Sequence, residues 1–430
     1  MTSHTDPPKR RIAFVSTRIA GTDGVSLEIE KWADVLTAMG HECFYVAGEC
    51  DRPEDRRFVV EEMHFKHPEI SKINRLSFGR ELRSSKLGTR IHQMMFTIKD
   101  RLKSALDYFD IDLIIAENCL TIPMNLPLGL ALVETVMETG LGCIAHHHDF
   151  VWERERFLVN AVEDYLRAAF PPSLPQMNHV VINSIAARDF SRRCGLPCRV
   201  IPNVMDFDRP PARPDEPNRA FRKAIGLAEE DILILQPTRL IARKGIEHAV
   251  ELVSHLDDPR CKLVVTHASG DEGDVYAERI RRYARALKVP VIFAHESMAT
   301  RRAAADGRTR FTIADAYQAA DFVTYPSSYE GFGNAFLEAI YYRCPLLCNR
   351  YAIYRTDIEP CGFDVVLMDG FLTDEVVEQV REVLTNSERK QRMVEQNYEV
   401  GLRFFSYHRV ESELQALLAK PRLAPPPPEE

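Results

Sequence analysis

The stretch that decides the fold runs from Tyr325 to Arg350 and reads YPSSYEGFGNAFLEAIYYRCPLLCNR. It begins as the end of a strand, passes through a loop that contains Gly331 and Gly333, and becomes a helix that we expect to begin near Asn334 or Ala335. The glycines let the backbone approach a ligand closely and adopt dihedral angles that other residues avoid. The N-terminus of the helix offers free N–H groups and a partial positive charge, which suits a phosphate. The stretch therefore predicts a strand–loop–helix unit that binds a phosphorylated ligand.

Two carboxylates flank this junction. Glu330 lies in the loop, and Glu338 follows eight residues later on the first or second turn of the helix. Because Glu338 would face the loop, both carboxylates could meet one polyhydroxylated ligand. The pattern E-G-F-G-x-x-x-x-E after a short apolar strand resembles the nucleotide-sugar site of the retaining glycosyltransferases of family 4, which have the GT-B fold.

The resemblance implies roles for the residues of this stretch. Glu330 would orient a hydroxyl of the donor sugar, and Glu338 would hold the ribose hydroxyls. The sugar and phosphate would be supported by the backbone amides of Gly331, Phe332, Gly333 and Asn334. The implied fold is α/β of the GT-B class, in which two Rossmann-like domains face each other across a cleft and a C-terminal helix crosses back to the first domain.

Length and composition bound the class of protein. A chain of 430 residues is too long for one ordinary core, so two or three domains are expected. The hydrophobic content of 45% and the charged content of 27% are typical of a soluble globular protein. The net charge of −8 leaves no general basic surface, so we expect no nucleic-acid partner.

The sequence favours a cytoplasmic location. Its first residues, MTSHTDPPKRR, contain no apolar segment of a secretory signal, and no run approaches the ~20 apolar residues that span a bilayer. The ten cysteines are scattered, without a CxxC pair or a second pair at zinc spacing. We therefore interpret them as reduced thiols.

The first half opens with a strand–helix–strand pattern. A buried strand is predicted over Arg11–Ser16, a helix from about Val25 to Met39, and a second strand over His41–Ala47. The first connecting loop ends at Gly24, near the strand end where open α/β sheets bind ligands. Family 4 members often carry a Gly-Gly pair where this chain has Asp23 and Gly24, so the resemblance implies a donor contact at Gly24. An ordinary strand–helix turn remains the alternative.

The segment 71–110 is basic and amphipathic. It contains nine Lys or Arg residues, and apolar residues recur in it at helical spacing, at Ile91, Met94, Met95, Ile98, Leu102 and Leu106. One interpretation is a helix within 71–104 that makes a peripheral contact with an anionic membrane or an anionic acceptor. The interpretation we favour is a helix that packs its apolar face on the sheet and solvates its basic face.

Three histidines and an aspartate, His146 to Asp149, follow a short apolar strand. Adjacent residues of an extended chain point to alternate faces, so at most two of these histidines could share a metal. Histidines that hydrogen-bond the backbone are a second interpretation. The third is a polar lining for a sugar and its acceptor. Family 4 members commonly place a His-Asp-like pair here, and the resemblance implies that His148 contacts the donor sugar or the departing group, with His146 and Asp149 near the acceptor.

The residues after Asp149 are dense in hydrogen-bonding groups, with WERER at 152–156. Trp152 and Arg154 could help to recognise a small, anionic acceptor, because an arginine suits carboxylate and phosphate. A solvated helix with ordinary ion pairs is the alternative.

A pair of cations marks the start of the second half. Asp231 to Gln236 predicts a strand, and PTRLIARKG follows it, with Arg239 at the strand end and Lys244 just before a helix. Two cations at a strand–helix junction suit a diphosphate. The spacing R-L-x-x-x-K-G resembles the diphosphate-binding pair of the same family, and two solvated basic residues are the alternative.

The domain boundaries follow from these motifs and from the proline-rich connector near residue 208. We expect an N-terminal acceptor domain over 1–207 and a nucleotide-sugar donor domain over 208–395, both Rossmann-like. The C-terminal helix over 396–420 would pack back on the first domain. The tail 421–430, which contains PPPP, is expected to be disordered.

These expectations describe a retaining, metal-independent hexosyltransferase. It would move a hexose from a nucleotide-diphosphate sugar to a hydroxyl of a small, hydrophilic acceptor, with no cofactor besides this co-substrate. Arg239 and Lys244 would stabilise the leaving diphosphate, while His148 and Glu330 act at the sugar. No metal is expected, because members of the family need none and we find no DxD motif in a strand–helix loop.

Several alternatives stay open. The acceptor could be a lipid or a polysaccharide at a membrane surface. The chain could be a retaining glycoside hydrolase with Glu330 and Glu338 as acid and nucleophile, although Arg239 and Lys244 would then have no role. It could also be a GT-B isomerase that acts on a nucleotide sugar without an acceptor, or a non-catalytic nucleotide-sugar-binding protein.

Overall fold

The computed structural model describes residues 9–211, 216–268, 275–305 and 308–419 of the chain. The predicted tail 421–430 lies outside these ranges. The chain forms two compact units: the first comprises the residues up to Pro202 together with those from His408 onward, and the second is Asn203–Tyr407. The sequence analysis sets the first boundary at 207 and the start of the returning helix at 396, whereas the units divide at Pro202 and His408.

The first unit is built on a parallel sheet of seven strands. They are β1 (Arg11–Ser16), β2 (Glu42–Ala47), β3 (Arg57–Val59), β4 (Leu113–Glu117), β5 (Gly142–His147), β6 (Met177–Val181) and β7 (Cys198–Val200). Their spatial order is β3-β2-β1-β4-β5-β6-β7, so the order reverses between β1 and β4. At such a reversal the loops at the carboxyl ends of the strands diverge and leave room for a ligand.

The second unit contains a parallel sheet of six strands and a short antiparallel ribbon. The strands are β8 (Ile232–Gln236), β9 (Cys261–Val265), β10 (Val291–Phe293), β11 (Ala303–Ala305), β12 (Arg308–Arg310), β13 (Phe322–Tyr325), β14 (Leu346–Asn349) and β15 (Val366–Met368). The sheet order is β10-β9-β8-β13-β14-β15, with β11 paired to β12. The order reverses between β8 and β13, so the loops after these two strands are neighbours.

The helices connect the strands in alternation. In chain order they are α1 (Gly24–Ala38), α2 (Pro68–Ser77), α3 (Ser85–Tyr108), α4 (Leu126–Thr139), α5 (Glu155–Leu158), α6 (Glu163–Ala169), α7 (Ser184–Cys194), α8 (Glu216–Ala224), α9 (Ile246–Leu256), α10 (Val275–Ala286), α11 (Ile313–Ala319), α12 (Asn334–Tyr341), α13 (Asp374–Thr385), α14 (Ser387–Phe405) and α15 (Tyr407–Leu418). Two parallel sheets with connecting helices confirm the predicted α/β class.

Each unit encloses its own apolar core, because the parallel strands are buried on both faces and read as continuous apolar runs. The final helix, α15, supplements the first unit. Glu413 on this helix lies 2.9 Å from the Arg199 guanidinium, and Arg10 donates a hydrogen bond of 2.7 Å to the backbone oxygen of Leu418.

The basic segment of the first unit forms α2 and α3. The apolar side of α3 is buried in the core, through Leu87, Ile91, Met95, Ile98, Leu102, Ala105 and Leu106. Several of its cations are ion-paired within the unit, since Lys99 contacts Glu134 and Glu138 at 2.7 Å each. This arrangement agrees with the packed-helix interpretation and leaves the apolar stripe unavailable to a membrane.

Among the helices of the described ranges, none combines the length and the apolar character that a membrane crossing requires. All ten cysteines are free thiols, as the sequence analysis expects.

Candidate active site

The loop after β8, residues 237–245, carries the predicted cations and is here named the basic loop. It ends at Gly245, whose backbone lies in the left-handed region with φ +59°. A Cβ atom at this position would lie 2.5 Å from the backbone oxygen of Pro326, the residue after β13. The backbone N–H of Ser328 also donates to the oxygen of Arg243 at 2.9 Å. The absence of a side chain at Gly245 therefore lets the basic loop pack directly on the loop after β13.

That second loop, residues 326–333, is here named the glutamate loop, and Glu330 is its charged centre. Lys244 Nζ donates to Glu330 Oε1, and Arg243 Nη1 lies 3.0 Å from the other carboxylate oxygen. Lys244 and Glu330 are only 9% and 7% exposed, so this is a buried ion pair with a second cation at its rim. The structure thus brings together Lys244 and Glu330, two residues that the sequence singled out.

The pKa values of Glu330 and Lys244 are both lowered, which favours the charged form of the glutamate and disfavours that of the lysine. Burial alone would raise the pKa of the Glu330 carboxyl, but the charges of Lys244 and Arg243 outweigh burial and lower it. Burial lowers the pKa of Lys244, and the charge of Glu330 opposes that change. Lys244 is therefore a desolvated cation whose charge depends on a neighbouring anion.

The basic loop contacts the loop after β9, which carries His267. Arg239 is exposed, and the backbone N–H of Leu240 donates to the oxygen of Ala268 at 3.3 Å, which ties the basic loop to the loop after β9. In the loop after β9, His267 Nδ1 lies 2.9 Å from the Thr266 hydroxyl oxygen. Burial, together with the charges of Arg239 and Lys244, lowers the pKa of His267 to about 4.

The junction into α12 is held by an unusual backbone at Gly333. Its φ is +137°, and a Cβ atom there would lie 2.5 Å from the hydroxyl oxygen of Tyr351. That hydroxyl donates to the backbone oxygen of Phe332 at 2.6 Å, and the Phe332 ring is buried against Phe405. Gly333 caps the helix without a side-chain hydrogen bond, and Asn334 begins it. The predicted loop–helix geometry is therefore present, with Phe332 as its apolar anchor.

Glu338 lies on the second turn of α12 and is half-buried. Its carboxylate accepts a hydrogen bond of 2.8 Å from Tyr317, a fully buried tyrosine on α11. Tyr317 therefore orients Glu338, whereas Glu330 is oriented by Lys244 and Arg243. The two predicted carboxylates have separate supports, as two groups that contact different parts of one ligand require.

In the first unit, His146 and His147 end β5 and His148 follows it, and the three side chains alternate between two faces, as predicted. His146 and His148 share one face with Glu117, the residue at the end of β4 that lies opposite His146 in register. His146 Nδ1 lies 3.0 Å from Glu117 Oε2, and His148 Nε2 lies 3.3 Å from the same oxygen. His147 lies on the other face, where its Nε2 is 2.9 Å from His179 Nδ1.

We name Glu28, Glu117, His146 and His148 the histidine cluster. Glu28, on α1, is fully buried and its Oε1 atom has no hydrogen-bond partner, while Oε2 is 3.1 Å from Lys31 Nζ. Burial opposes a charge on His148, but the hydrogen bond to Glu117 and the charges of Glu117 and Glu28 outweigh burial and raise its pKa. His148 is thus favoured as an imidazolium, and the buried Glu117 carboxylate holds it in place.

His146 serves the cluster as a support. It is 1% exposed, and its ring stacks on Trp32 at a centroid distance of 4.2 Å. A side chain enclosed in this way has no surface for an acceptor, so the predicted acceptor contact at His146 does not fit its position. His148, at the rim, keeps a small exposed fraction.

The donor set of the histidine cluster could also hold a metal ion. The ligand atoms of Glu117, His146 and His148 lie within 4.8 Å of one another, and two imidazoles with one carboxylate are a set that zinc accepts. Glu117 Oε2 is already hydrogen-bonded to both histidines, whereas His146 Nε2 and Glu28 Oε1 have no hydrogen-bond partner. Sequence reasoning overlooked this arrangement because Glu117 comes from a different strand.

The remaining predicted residues of the first unit form a polar rim. Asp149 accepts hydrogen bonds from Asn118 at 3.0 Å and from the Arg154 guanidinium. Trp152 is half-buried: Phe150 stacks on its ring at 4.5 Å, Arg193 lies 5.2 Å from its centroid, and its Nε1 atom has no hydrogen-bond partner. Arg154 is exposed, and Asp149 and Trp152 are half-buried, so the acceptor contacts proposed for these three residues stay predictions.

Gly24 is the first residue of α1. The preceding residue, Asp23, caps this helix and accepts from the N–H groups of Val25 and Ser26 at 3.2 Å each. Arg18 lies 2.7 Å from the same carboxylate. Asp23 therefore fills the position that a second glycine often has, and it stiffens the loop.

Four residues of these sites were not predicted from the sequence: Arg243, His267, Glu117 and Glu28. Arg243 lies directly beside the predicted Lys244, and His267 is the second residue after β9, so proximity to a predicted cation was a usable signal for the first and strand-end position for the second. Glu28 is a glutamate on the buried side of an amphipathic helix, which is a rare place for a carboxylate.

Two family models together match most of the chain. The model "Glycosyl transferases group 1" matches residues 217–400, and the model "Glycosyltransferase Family 4" matches residues 22–209. The first range contains the basic and glutamate loops, and the second contains the histidine cluster.

Two relatives share the sequence over most of its length. The chain is 32% identical to a mannosylglucosylglycerate synthase of Thermotoga maritima over 94% of this chain and 98% of the relative. It is 31% identical to a mannosylglucosylglycerate synthase of Petrotoga mobilis over 83% of this chain and 86% of the relative.

Solved structures share the fold at low sequence identity. A glycosyltransferase from Rickettsia africae has a TM-score of 0.68 and 12% identity, with 95% of this chain and 98% of that chain covered. Anabaena HepE in complex with UDP and glucose has a TM-score of 0.65 and 14% identity, with 95% and 99% covered. This likeness concerns the fold, and it agrees with the predicted GT-B class.

Proposed function

The chain belongs to family 4 of the group 1 glycosyltransferases, and from that membership we propose that it transfers a hexose from a nucleotide-diphosphate sugar to a hydroxyl of a small, hydrophilic acceptor. The transfer retains the anomeric configuration and needs no metal ion. The observation that carries the proposal is the buried Lys244–Glu330 pair, next to Arg239, at the point where the strand order of the second sheet reverses.

The basic loop provides charge for the donor. A diphosphate that leaves the sugar accumulates negative charge, and fixed cations in a desolvated site stabilise that charge in the transition state. Lys244 is such a cation, and Arg239 adds an exposed guanidinium that suits two phosphate oxygens. The Lys244 ammonium has three N–H donors, so it can bind a phosphate oxygen while it keeps its contact with Glu330.

The glutamates provide orientation. Glu338, held by the Tyr317 hydroxyl, accepts hydrogen bonds from the ribose. Glu330, held by Lys244 and Arg243, accepts a hydrogen bond from a hydroxyl of the donor sugar. The backbone N–H groups of residues 331–334 bind the sugar and the phosphate at the start of α12.

Transfer with retention then needs no protein nucleophile. The acceptor oxygen attacks the anomeric carbon from the face that the diphosphate leaves, the bond between that carbon and the phosphate oxygen breaks, and the acceptor proton passes to the departing phosphate oxygen. His148, as an imidazolium fixed by Glu117, supplies positive charge and an N–H donor to the sugar or to the departing group.

The names of the relatives narrow the choice of donor sugar and acceptor. Both are mannosylglucosylglycerate synthases, so we propose mannose as the transferred hexose and a glucosylated glycerate as the acceptor. This acceptor is small, hydrophilic and anionic. Arg154, exposed at the rim beside Asp149, is the candidate contact for its carboxylate.

The test is transfer by the purified chain. Mannose and glucose are offered as GDP and UDP conjugates, with glucosylglycerate and its uncharged carboxamide as paired acceptors. We expect product from a mannose donor, faster with the carboxylate, and an anomeric coupling in NMR that matches the configuration of the donor. An inverted product would refute retention, and equal rates with both acceptors would refute the role of the carboxylate.

The same assay separates the other candidate functions. Release of free sugar without an acceptor would indicate a hydrolase. A rise in melting temperature with nucleotides, but no turnover with any acceptor, would indicate a binding protein. A lipid or polysaccharide acceptor remains an alternative that none of the described contacts favours, since the apolar side of α3 is buried.

A further inference from the structure

His267 lies where a third loop meets the basic loop. β8 and β9 are parallel neighbours with Gln236 paired to Val265, so the residues that follow both strands emerge at the same edge of the sheet. The hydrogen bond from Leu240 N–H to the oxygen of Ala268 fixes the two loops side by side. His267 is therefore held next to the loop that carries Arg239 and Lys244.

The orientation of the ring is fixed by its neighbour. Thr266 is 2% exposed, and its hydroxyl oxygen lies 2.9 Å from His267 Nδ1. In the tautomer in which this hydroxyl donates to Nδ1, the proton of the neutral imidazole is on Nε2, at the opposite side of the ring. Nε2–H is then a donor that a phosphate oxygen can accept.

Among the residues that the structure describes, the charges that act on His267 come from the neighbouring basic loop. Arg239 and Lys244 of the basic loop are the cations that act on it, and Glu330 of the glutamate loop is itself bonded to Lys244 and Arg243. In this surrounding an imidazolium would be repelled by two cations, so His267 is neutral when no anion is bound. An anion that binds between these groups would instead stabilise the imidazolium form of His267.

We propose that His267 is a third ligand of the donor diphosphate and that it takes up a proton when the nucleotide sugar binds. The inference rests on the proposed function, because it presumes a diphosphate between Arg239 and Lys244. Nε2–H donates to a phosphate oxygen, and the negative charge of the diphosphate stabilises a proton on Nδ1, whose hydrogen bond with the Thr266 hydroxyl reverses direction. The bound site thus carries one more positive charge than the free site.

The proposal predicts that donor affinity increases as the pH falls. His267 is neutral at pH 7 in the free protein, where its pKa is about 4. If the bound diphosphate raises this pKa, binding tightens as the pH decreases from the higher pKa of the complex to the lower pKa of the free protein. Each unit by which the pKa rises adds about a factor of ten to the affinity at low pH.

The experiment is calorimetric titration of the full chain with GDP-mannose at pH 6 in two buffers of different ionisation enthalpy. If GDP-mannose does not bind, UDP-glucose is the second probe. A nucleotide sugar is chosen because its diphosphate is a diester, which has no proton to gain or lose near neutral pH. The buffer dependence of the heat therefore measures protons taken up by the protein. We expect uptake of about 0.3 to 1 proton for the native chain.

Three variants sharpen the result. His267→Gln keeps an N–H donor but cannot titrate, so proton uptake should fall toward zero while affinity at pH 8 changes by less than about threefold. His267→Ala removes the donor as well, and affinity at pH 8 should fall about tenfold. His255→Gln, an exposed histidine on α9, is the matched control and should leave uptake unchanged.

The outcomes separate the two levels of the argument. Donor binding with the same proton uptake in His267→Gln as in the native chain would overturn the role of His267 and leave the proposed function intact. Failure of the folded native chain to bind either nucleotide sugar would overturn both. Melting temperatures of the variants within a few degrees of the native value establish that each result comes from a folded protein.

Discussion

Lys244 donates a hydrogen bond from Nζ to Oε1 of Glu330, and this buried ion pair joins the loop after β8 to the loop after β13. The pair has a structural as well as a chemical consequence. Both charges are out of water, so each depends on the other for compensation. Arg243 contacts the second carboxylate oxygen at 3.0 Å, which makes Glu330 the shared anion of two cations.

The first prediction concerns the stability of this pair. Glu330→Gln leaves Lys244 and Arg243 facing each other without an anion, and we expect the free energy of unfolding to fall by about 3–5 kcal/mol. Lys244→Met leaves Glu330 paired with Arg243, so its loss should be smaller. Urea unfolding followed by circular dichroism measures both. Asp258→Asn breaks the exposed contact with Arg260 in the same unit and should cost at most about 1 kcal/mol. Equal losses for Asp258→Asn and Glu330→Gln would contradict the argument.

The second prediction concerns acid. The pKa of Glu330 in the folded protein is lowered, since the nearby cations outweigh the effect of burial. A carboxyl of this kind contributes stability above its unfolded pKa of about 4.5, and the contribution is lost as the pH falls through the folded pKa. The difference in unfolding free energy between the native chain and Glu330→Gln should therefore be full at pH 6 and shrink below about pH 4.5. A difference that stays constant down to the acid transition would contradict it.

The residues in these two predictions could be identified from the sequence, because each belongs to a motif of a few consecutive residues. Lys244, Glu330 and Gly333 belong to strand–loop–helix motifs whose order along the chain reflects their order in space. The alternation of His146 and His148 with His147 followed from the geometry of one strand. Information of this kind is contained in a short stretch of residues.

The sequence could not predict side-chain contacts between residues on different strands and loops. Glu117 faces His146 only because β4 and β5 pair in one particular register. Trp152 packs against Phe150 and lies near Arg193, and neither the angle nor the distance of such contacts can be read from spacing. His267 acquires its surroundings from a loop that lies about 25 residues earlier in the chain.

The third prediction concerns nucleotide recognition. Glu338→Ala should abolish transfer with little loss of stability, because this side chain is half-buried and its partner Tyr317 has a second acceptor, the backbone oxygen of Ala335. The native chain should bind a ribonucleotide about 10- to 100-fold more tightly than the corresponding deoxyribonucleotide, as for hydrogen bonds to a charged group. Glu338→Ala should lose this preference. Calorimetry with both nucleotides measures it, and a preference that survives in Glu338→Ala would remove Glu338 from the ribose site.

The fourth prediction concerns metals. Transfer in the presence of EDTA should proceed at the same rate as without it, because Arg239 and Lys244 supply the charge that a divalent cation would otherwise supply. Product formation after dialysis against EDTA is the measurement. Activity that is lost and then restored by one divalent metal would contradict metal independence. Glu117→Gln would then test the histidine cluster, and loss of the bound metal in that variant would place it at His146 and His148.

The fifth prediction concerns the junction into α12. At Gly333, with φ +137°, a methyl group would both strain the backbone and overlap the Tyr351 hydroxyl, which holds the oxygen of Phe332. Gly333→Ala should therefore lower the free energy of unfolding by more than about 2 kcal/mol and abolish transfer, since the backbone amides at the helix start would move.

Gly226→Ala is the matched control for this change, because Gly226 has a φ of +81° but no heavy atom within 4 Å of the added methyl group. It should cost only the backbone strain, about 1 kcal/mol, and leave transfer unchanged. The variant Gly333→Ala/Tyr351→Phe removes the overlapping hydroxyl and should recover part of the lost stability while transfer stays low. Equal stability of the Gly226→Ala and Gly333→Ala variants would show that the Tyr351 hydroxyl places no steric limit on the loop that leads into α12.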